Sequence, residues 1–113
     1  MKYPNGSPKF YKLLEEEAKL HNDKNADYAE AGDVWGNFDR VAHLVDYYNL
    51  LNAPIPTRIK VAIIYMLKQL DCALNAFGKG KIMKVEGIKE RFQDISVYSK
   101  IITILAEEEN EKK

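Results

Sequence analysis

Residues 59–77 read IKVAIIYMLKQLDCALNAF and are apolar at almost every position. Strict alternation of apolar and polar residues, which is typical of half-buried strands, is nearly absent from the whole chain. A helix that is apolar around most of its circumference lies inside a protein core. We therefore expect this segment to form the central helix of an all-helical protein.

Turn and capping residues divide the rest of the chain into three further helical segments. Ser7 followed by Pro8 is typical of a helix start, and Gly32 predicts that this first helix ends near residue 31. Asp33 is then expected to cap a second helix. The segment NAPIP at 52–56 contains two prolines, which separate the second helix from the third.

A connector with two glycines, GKGKIMK at 78–84, precedes a fourth helix that we expect to run from about residue 86 to 106. The polar tail 107–113 is expected to fray. The 113 residues suffice for one domain, with a core of about 8–106. We predict a single antiparallel four-helix bundle.

Composition narrows the functional classes. Lys plus Arg and Asp plus Glu both number 17, so the zero net charge argues against an extended nucleic acid or an acidic membrane as partner. The first ten residues lack an apolar leader and no run approaches the ~20 residues of a membrane span, so we expect a cytoplasmic protein. Cys72, the single cysteine, is predicted to be buried, and two histidines are too few for a zinc site.

Polar residues interrupt the central helix at a regular spacing. Lys68, Asp71 and Asn75 follow one another at steps of three and four and so share a face. This stripe is either the solvent edge of the helix or the wall of a polar pocket. Val61 and Ile64 continue the same face, which favours the pocket. A lysine in such surroundings needs an anion, and Asp71 or a bound ligand would supply it.

The fourth helix has a similar anomaly. Arg91 and Asp94 lie inside a wide apolar arc that extends through Tyr98. They either pair with each other or face a pocket in the bundle, and Asp94 is expected to be buried against a cation.

The first two helices contribute further polar residues at close helical spacing. Lys24, Asp27 and Tyr28 end the first helix, and Asn37 and Arg40 begin the second, where free N–H groups favour an anion. Taken singly, each of these two groups of residues is also typical of an ordinary solvated helix surface.

Aromatic and histidine residues add one candidate to this set. Trp35 is expected in the core or as a lid, with stacking on a base as the alternative. His21 and His43 lack ligand spacing and are interpreted as surface residues.

Catalytic motifs are scarce. The chain has no Gly-rich phosphate loop and no nucleophile elbow. Carboxylates could hold Mg²⁺ in an enzyme alternative, and the candidate ligands are Asp71, Glu86, Glu90 and Asp94.

Four segments resemble small helical proteins of bacteriophages and prophages: KNADY at 24–28, WGNFDRVA at 35–42, LKQLD at 67–71 and VEGIKERFQDISVY at 85–98. That group is similar to the helical family called nucleotide-modification-associated. A more distant similarity is to MazG-type all-α nucleoside triphosphate pyrophosphatases, whose E-x-x-E…E-x-x-D pattern binds Mg²⁺. The resemblance implies a phage-type protein of the host-cell cytoplasm that handles nucleotides.

The first hypothesis is a protein that binds a nucleotide or another phosphorylated small molecule in a polar pocket of the bundle, without a cofactor, and that either sequesters this ligand or acts on it chemically. Lys24, Arg40, Lys68 and Arg91 would bind phosphate, Asp71 and Asp94 would orient these cations or bind base or ribose, and Tyr28, Trp35 and Tyr98 would stack. One alternative is the Mg²⁺-dependent pyrophosphatase. The other is a protein–protein module, and a homo-oligomer is expected in every case.

Overall fold

A computed structural model describes residues 3–29, 32–80 and 87–112. These residues form four helices, with a 3-10 turn at Leu50–Asn52 between the second and third, and contain no strand. The predicted all-α class is confirmed. In the described ranges, no helix is both long and apolar enough to span a bilayer. The helices are α1 (Pro8–Tyr28), α2 (Gly36–Tyr47), α3 (Thr57–Lys79) and α4 (Ile88–Glu111).

Helix α1 begins where the sequence predicts. The Ser7 side chain accepts a hydrogen bond from the Phe10 N–H at 3.4 Å, and Pro8 occupies the first helical position. The helix ends at Tyr28, earlier than expected, because Ala29 is already extended. Gly32 therefore does not end it.

Helix α2 begins later than predicted, at Gly36. Asp33 lies in a turn before the helix and accepts the Gly36 N–H through its main-chain oxygen at 3.1 Å. Trp35 stands at the cap position and contributes no side-chain hydrogen bond. The expectation that Asp33 caps α2 is therefore wrong.

Helix α4 continues to Glu111, beyond the predicted end at residue 106. Glu108 accepts a hydrogen bond from Arg58 on the first turn of α3 at 3.1 Å. This tertiary contact holds residues that the polar composition alone predicted to fray.

The central position of α3 is visible in its contacts with α4. Arg58 meets Glu108 at one end, the Tyr65 and Tyr98 rings lie 5.9 Å apart midway, and the Phe77 and Phe92 rings lie 6.1 Å apart at the other end. Residue numbers rise along α3 as they fall along α4, so these two helices run antiparallel.

Helix α2 packs on another side of α3. Arg40 meets Asp71 near one end, and beyond the other end of α2 the Lys60 ammonium donates to the Leu51 carbonyl at 2.8 Å. Helix α1 reaches α3 through its last turn, where the Cys72 thiol lies 3.4 Å from the Asp27 carbonyl. Cys72 is buried, as predicted. The buried apolar side chains of α3 extend from Ile59 and Ala62 near its start to Cys72, Ala73 and Ala76 near its end.

Candidate functional site

Tyr28, the last residue of α1, joins three helices. Its hydroxyl accepts a hydrogen bond from Arg91 Nη1 at 2.6 Å. Lys68 Nζ lies 5.1 Å and the Arg91 guanidinium carbon 4.6 Å from the centre of its ring, both within the range of cation–π attraction. Tyr28 is therefore fixed by α3 and α4 at one wall of the region between the helices.

Arg91 serves this internal network. It is 1% exposed and also donates from Nη1 to Gln69 Oε1 at 2.7 Å. Both Arg91 and Asp94 are described, yet no ion pair joins them. Of the two alternatives for Arg91 and Asp94, the pairing within α4 does not form, because Arg91 turns toward α1 and α3. A guanidinium enclosed in this way cannot bind a phosphate from solvent.

Arg40 and Asp71 form a bidentate ion pair between α2 and α3. Arg40 Nε and Nη2 donate to the two Asp71 carboxylate oxygens at 2.6 and 3.0 Å, and Nη2 also donates to the Tyr28 carbonyl at 3.1 Å. The hydrogen bonds that Arg40 donates to Asp71 raise the pKa of the Arg40 guanidinium above its usual value. Asp33 lies 3.8 Å from the same guanidinium. Arg40 is thus occupied, contrary to its predicted role as a phosphate ligand.

The polar stripe on α3 faces other helices. Asp71 meets α2, and Lys68 lies over the Tyr28 ring of α1. Asn75 is half-buried. The stripe is therefore not a uniform solvent edge, because Asp71 is enclosed against α2 whereas Lys68 is exposed at the cavity between α1, α2 and α3.

Three predicted residues occupy other places. Asp27 is fully buried in the last turn of α1. Asp94 is half-buried and pairs with no cation of the described chain, so its expected buried ion pair does not form. Tyr98 packs edge-on against Tyr65 between α3 and α4.

A cavity of about 770 Å³ opens between α1, α2 and α3. This volume lies within the range of small-molecule sites. Five of the predicted residues line it: Lys24, Tyr28, Trp35, Asn37 and Lys68.

Aromatic side chains form one wall of this cavity. The Trp35 ring lies 6.3 Å from the Phe38 ring and 6.4 Å from the His21 ring. Trp35 is 58% exposed, so it is a rim residue and not part of the core. A planar ligand could lie against this wall.

Two lysines supply positive charge to the cavity. Lys24 and Lys68 are both exposed, and neither forms an ion pair within the part of the chain that the structure describes. Lys68 is therefore not buried, and the prediction that burial makes it require an anion is wrong. Both side chains are exposed at the cavity, so their ammonium groups are available to a ligand.

Asn37 is the buried polar residue of the cavity lining. It is 8% exposed, and its Oδ1 atom has no hydrogen-bond partner in the described structure. It is the second residue of α2, where first-turn N–H groups lack acceptors within the helix. A buried amide without a partner is costly, and a ligand group or a water would satisfy it.

The carboxylates proposed for Mg²⁺ are not assembled in the described chain. Asp71 is held by Arg40, Glu90 is exposed on α4, and Glu86 lies outside the described residues. Among the described residues no three His, Cys, Asp or Glu side chains lie close enough to share a metal ion.

Sequence reasoning missed several lining residues. Glu17, His21 and Phe38 line the cavity, although His21 was interpreted as an ordinary surface residue. His21 is indeed exposed. The spacing of Glu17, His21, Lys24 and Tyr28 at steps of four, three and four places them on one face of α1, and this signal could have identified them.

No protein-family model, no curated protein and no solved structure shows significant similarity to the chain.

Proposed function

We propose that the protein binds a nucleotide, or a similar small molecule that joins a planar ring to phosphate, in the cavity between α1, α2 and α3. The observation that carries the proposal is the composition of this cavity, whose rim pairs Trp35 and Phe38 with two lysines that lack acidic partners in the described chain.

The aromatic wall is suited to the base. Trp35 and Phe38 are exposed, so covering them with a ring removes apolar surface from water. Stacking adds to this gain, since aromatic pairs with centroids 4.5–7 Å apart attract each other. The base would lie against Trp35, with the buried Asn37 amide within the same cavity to hydrogen-bond its edge.

The lysines are suited to the phosphate. Lys24 on α1 and Lys68 on α3 both line the cavity, so a phosphate between them would bridge the two helices. Hydrogen bonds between an ammonium and a phosphate are charge-assisted and stronger than neutral ones. Glu17 and Asp46 also line the cavity and could accept hydrogen bonds from sugar hydroxyls.

The proposal is for binding, with sequestration in the cytoplasm as its purpose. The resemblance of four sequence segments to phage proteins associated with nucleotide modification agrees with this reading and stays a prediction. The pyrophosphatase alternative gains no support from the described carboxylates, since Asp71 already binds Arg40.

Isothermal titration calorimetry with a panel of nucleoside mono-, di- and triphosphates tests the proposal. Lys68→Met should keep the fold and weaken binding about tenfold or more, because a hydrogen bond to a charged group contributes about 1.5–3 kcal/mol. Lys89→Met is the matched control, since Lys89 is exposed on α4 and does not line the cavity.

Retained affinity in Lys68→Met would place the site elsewhere, and an equal loss in Lys89→Met would show a general effect of charge. Absence of binding across the whole panel would refute the proposal.

A further inference from the structure

We infer that the N-terminal half of α1 packs antiparallel against α4 of a second copy of this chain, so that each copy contributes one α1 and one α4 to the interface. The proposed contact does not require a ligand in the cavity, although one of its residues, Leu20, also lines the cavity. It starts from apolar side chains that the single chain leaves uncovered on both helices.

Helix α1 carries an uncovered apolar stripe. Phe10, Leu13, Leu14 and Leu20 fall on one face at helical spacing, and each leaves about half its surface in water. An isolated helix of this length is marginal in water, and most helical stability comes from packing of an apolar face. Within the described chain α1 meets α3 near its last turn, so the stripe needs a cover for most of its length.

Helix α4 carries a second uncovered stripe of matching length. Val97, Ile101 and Ile104 lie at steps of four and three and are all exposed. Val97 and Ile104 are seven residues apart, as are Leu13 and Leu20 on α1. Antiparallel packing would therefore place Leu13 against Ile104 and Leu20 against Val97, about 10 Å apart along the axis.

The charges beside the two stripes fit the same register. Lys9 and Glu16 flank the α1 stripe on one side, and Lys100 and Glu107 flank the α4 stripe, again seven residues apart in each case. When two helices pack antiparallel, the residues that flank the apolar stripe on the same side of each helix face one another, as in antiparallel coiled coils. Lys9 would meet Glu107, and Glu16 would meet Lys100. None of the four forms an ion pair within the described residues.

The apolar area is sufficient for a stable pair. In a two-fold dimer the α1–α4 contact occurs twice, so both stripes of each copy are covered and no stripe is left to bind a third copy. Seven half-exposed apolar side chains per copy, at about 100 Å² each, give roughly 1,400 Å² over two copies. This estimate lies within the usual range of specific interfaces, which favours a second copy as the occupant of both stripes.

Sedimentation of the full chain over a concentration series tests the inference. The wild type should dimerise, and Glu16→Lys or Lys100→Glu should each weaken dimerisation on the order of tenfold, because each reversal places like charges together at both contacts. The double variant E16K/K100E should recover the wild-type affinity. The matched control is Glu15→Lys, since Glu15 lies on the opposite face of α1 and should leave dimerisation unchanged.

A second measurement does not depend on charge. Chains carrying Leu13→Cys and chains carrying Ile104→Cys are mixed and oxidised, and the mixed disulfide should exceed both homodimeric products. Cys72 does not compete because it is fully buried. The inference would be overturned if the wild-type chain sedimented as a monomer at every concentration or if the double variant did not recover dimerisation. It would also be overturned if Glu15→Lys weakened dimerisation as much as Glu16→Lys, or if the mixed disulfide did not exceed the homodimeric products.

Discussion

Two aspartates of the chain differ in what holds them. The Asp71 carboxylate is 8% exposed and receives two hydrogen bonds from the Arg40 guanidinium, which is itself 36% exposed. Asp94 is half-buried and pairs with no cation of the described residues. Removing one member of an enclosed ion pair strands the other, whereas removing an unpaired surface carboxylate strands nothing.

Asp71→Ala should therefore lower the free energy of unfolding by about 1–3 kcal/mol, less than for a fully buried pair because solvent screens Arg40. Asp94→Ala is the matched control and should change it by less than about 0.5 kcal/mol. Urea denaturation of the two variants measures both values. Similar losses in the two variants would contradict the assignment of the ion pair.

The identity of these partners is the part of the site that spacing could not supply. Helical periodicity correctly grouped Lys24 with Tyr28 and Lys68 with Asp71, because neighbours on one helix face are fixed by the helix geometry. Asp71 lies 31 residues from Arg40 in sequence, and the two partners of Arg91, Gln69 and Tyr28, lie 22 and 63 residues from it. Such pairs depend on how the helices pack against one another. The sequence alone therefore could not show that Arg40 and Arg91 bind other side chains whereas Lys24 and Lys68 are left to bind a ligand.

At the scale of elements, local signals predicted the start of α1 and the end of α3 but misplaced the end of α1 at Gly32 and the cap of α2 at Asp33. Ser7 with Pro8 gave the start of α1, and the glycine-rich connector marked the end of α3. Gly80 terminates α3 in the left-handed conformation, at a φ of 62°. The end of α4 was missed because its last turns are held by a contact with α3, which no local pattern records.

Two glycines near the end of α3 provide a matched pair of substitutions. Gly80→Ala should destabilise the protein by about 1–2 kcal/mol, because a Cβ is disfavoured at positive φ although no atom lies within 4 Å of it. Gly78 lies inside the helix with equally open surroundings, so Gly78→Ala should stabilise by about 0.5–1 kcal/mol. Thermal or urea unfolding gives the signs. A stabilising Gly80→Ala would show that α3 does not end in this conformation.

At the scale of the whole molecule, the chain is more extended than its length requires. Its radius of gyration is 18.4 Å, against about 13 Å for a compact domain of this size. Buried apolar residues in the described ranges are few and mostly small, and three of them are Ala62, Ala73 and Ala76 on α3. The sequence predicted α3 as the central helix, but the apolar composition could not show how much of each helix one chain covers by itself.

The cavity is the feature of the whole molecule on which the proposed function depends, and Trp35 offers a direct probe of it. Trp35 is the single tryptophan of the chain and lies on the cavity rim, so all tryptophan emission comes from the proposed site. The nucleotide that binds best in calorimetry is titrated into the protein, and its own absorbance is corrected with free N-acetyltryptophanamide. The Trp35 emission should then change with nucleotide concentration and reach a plateau. The midpoint should equal the calorimetric Kd and shift about tenfold or more in Lys68→Met. Calorimetric binding with unchanged Trp35 emission would contradict the account, because the nucleotide would then occupy another part of the molecule.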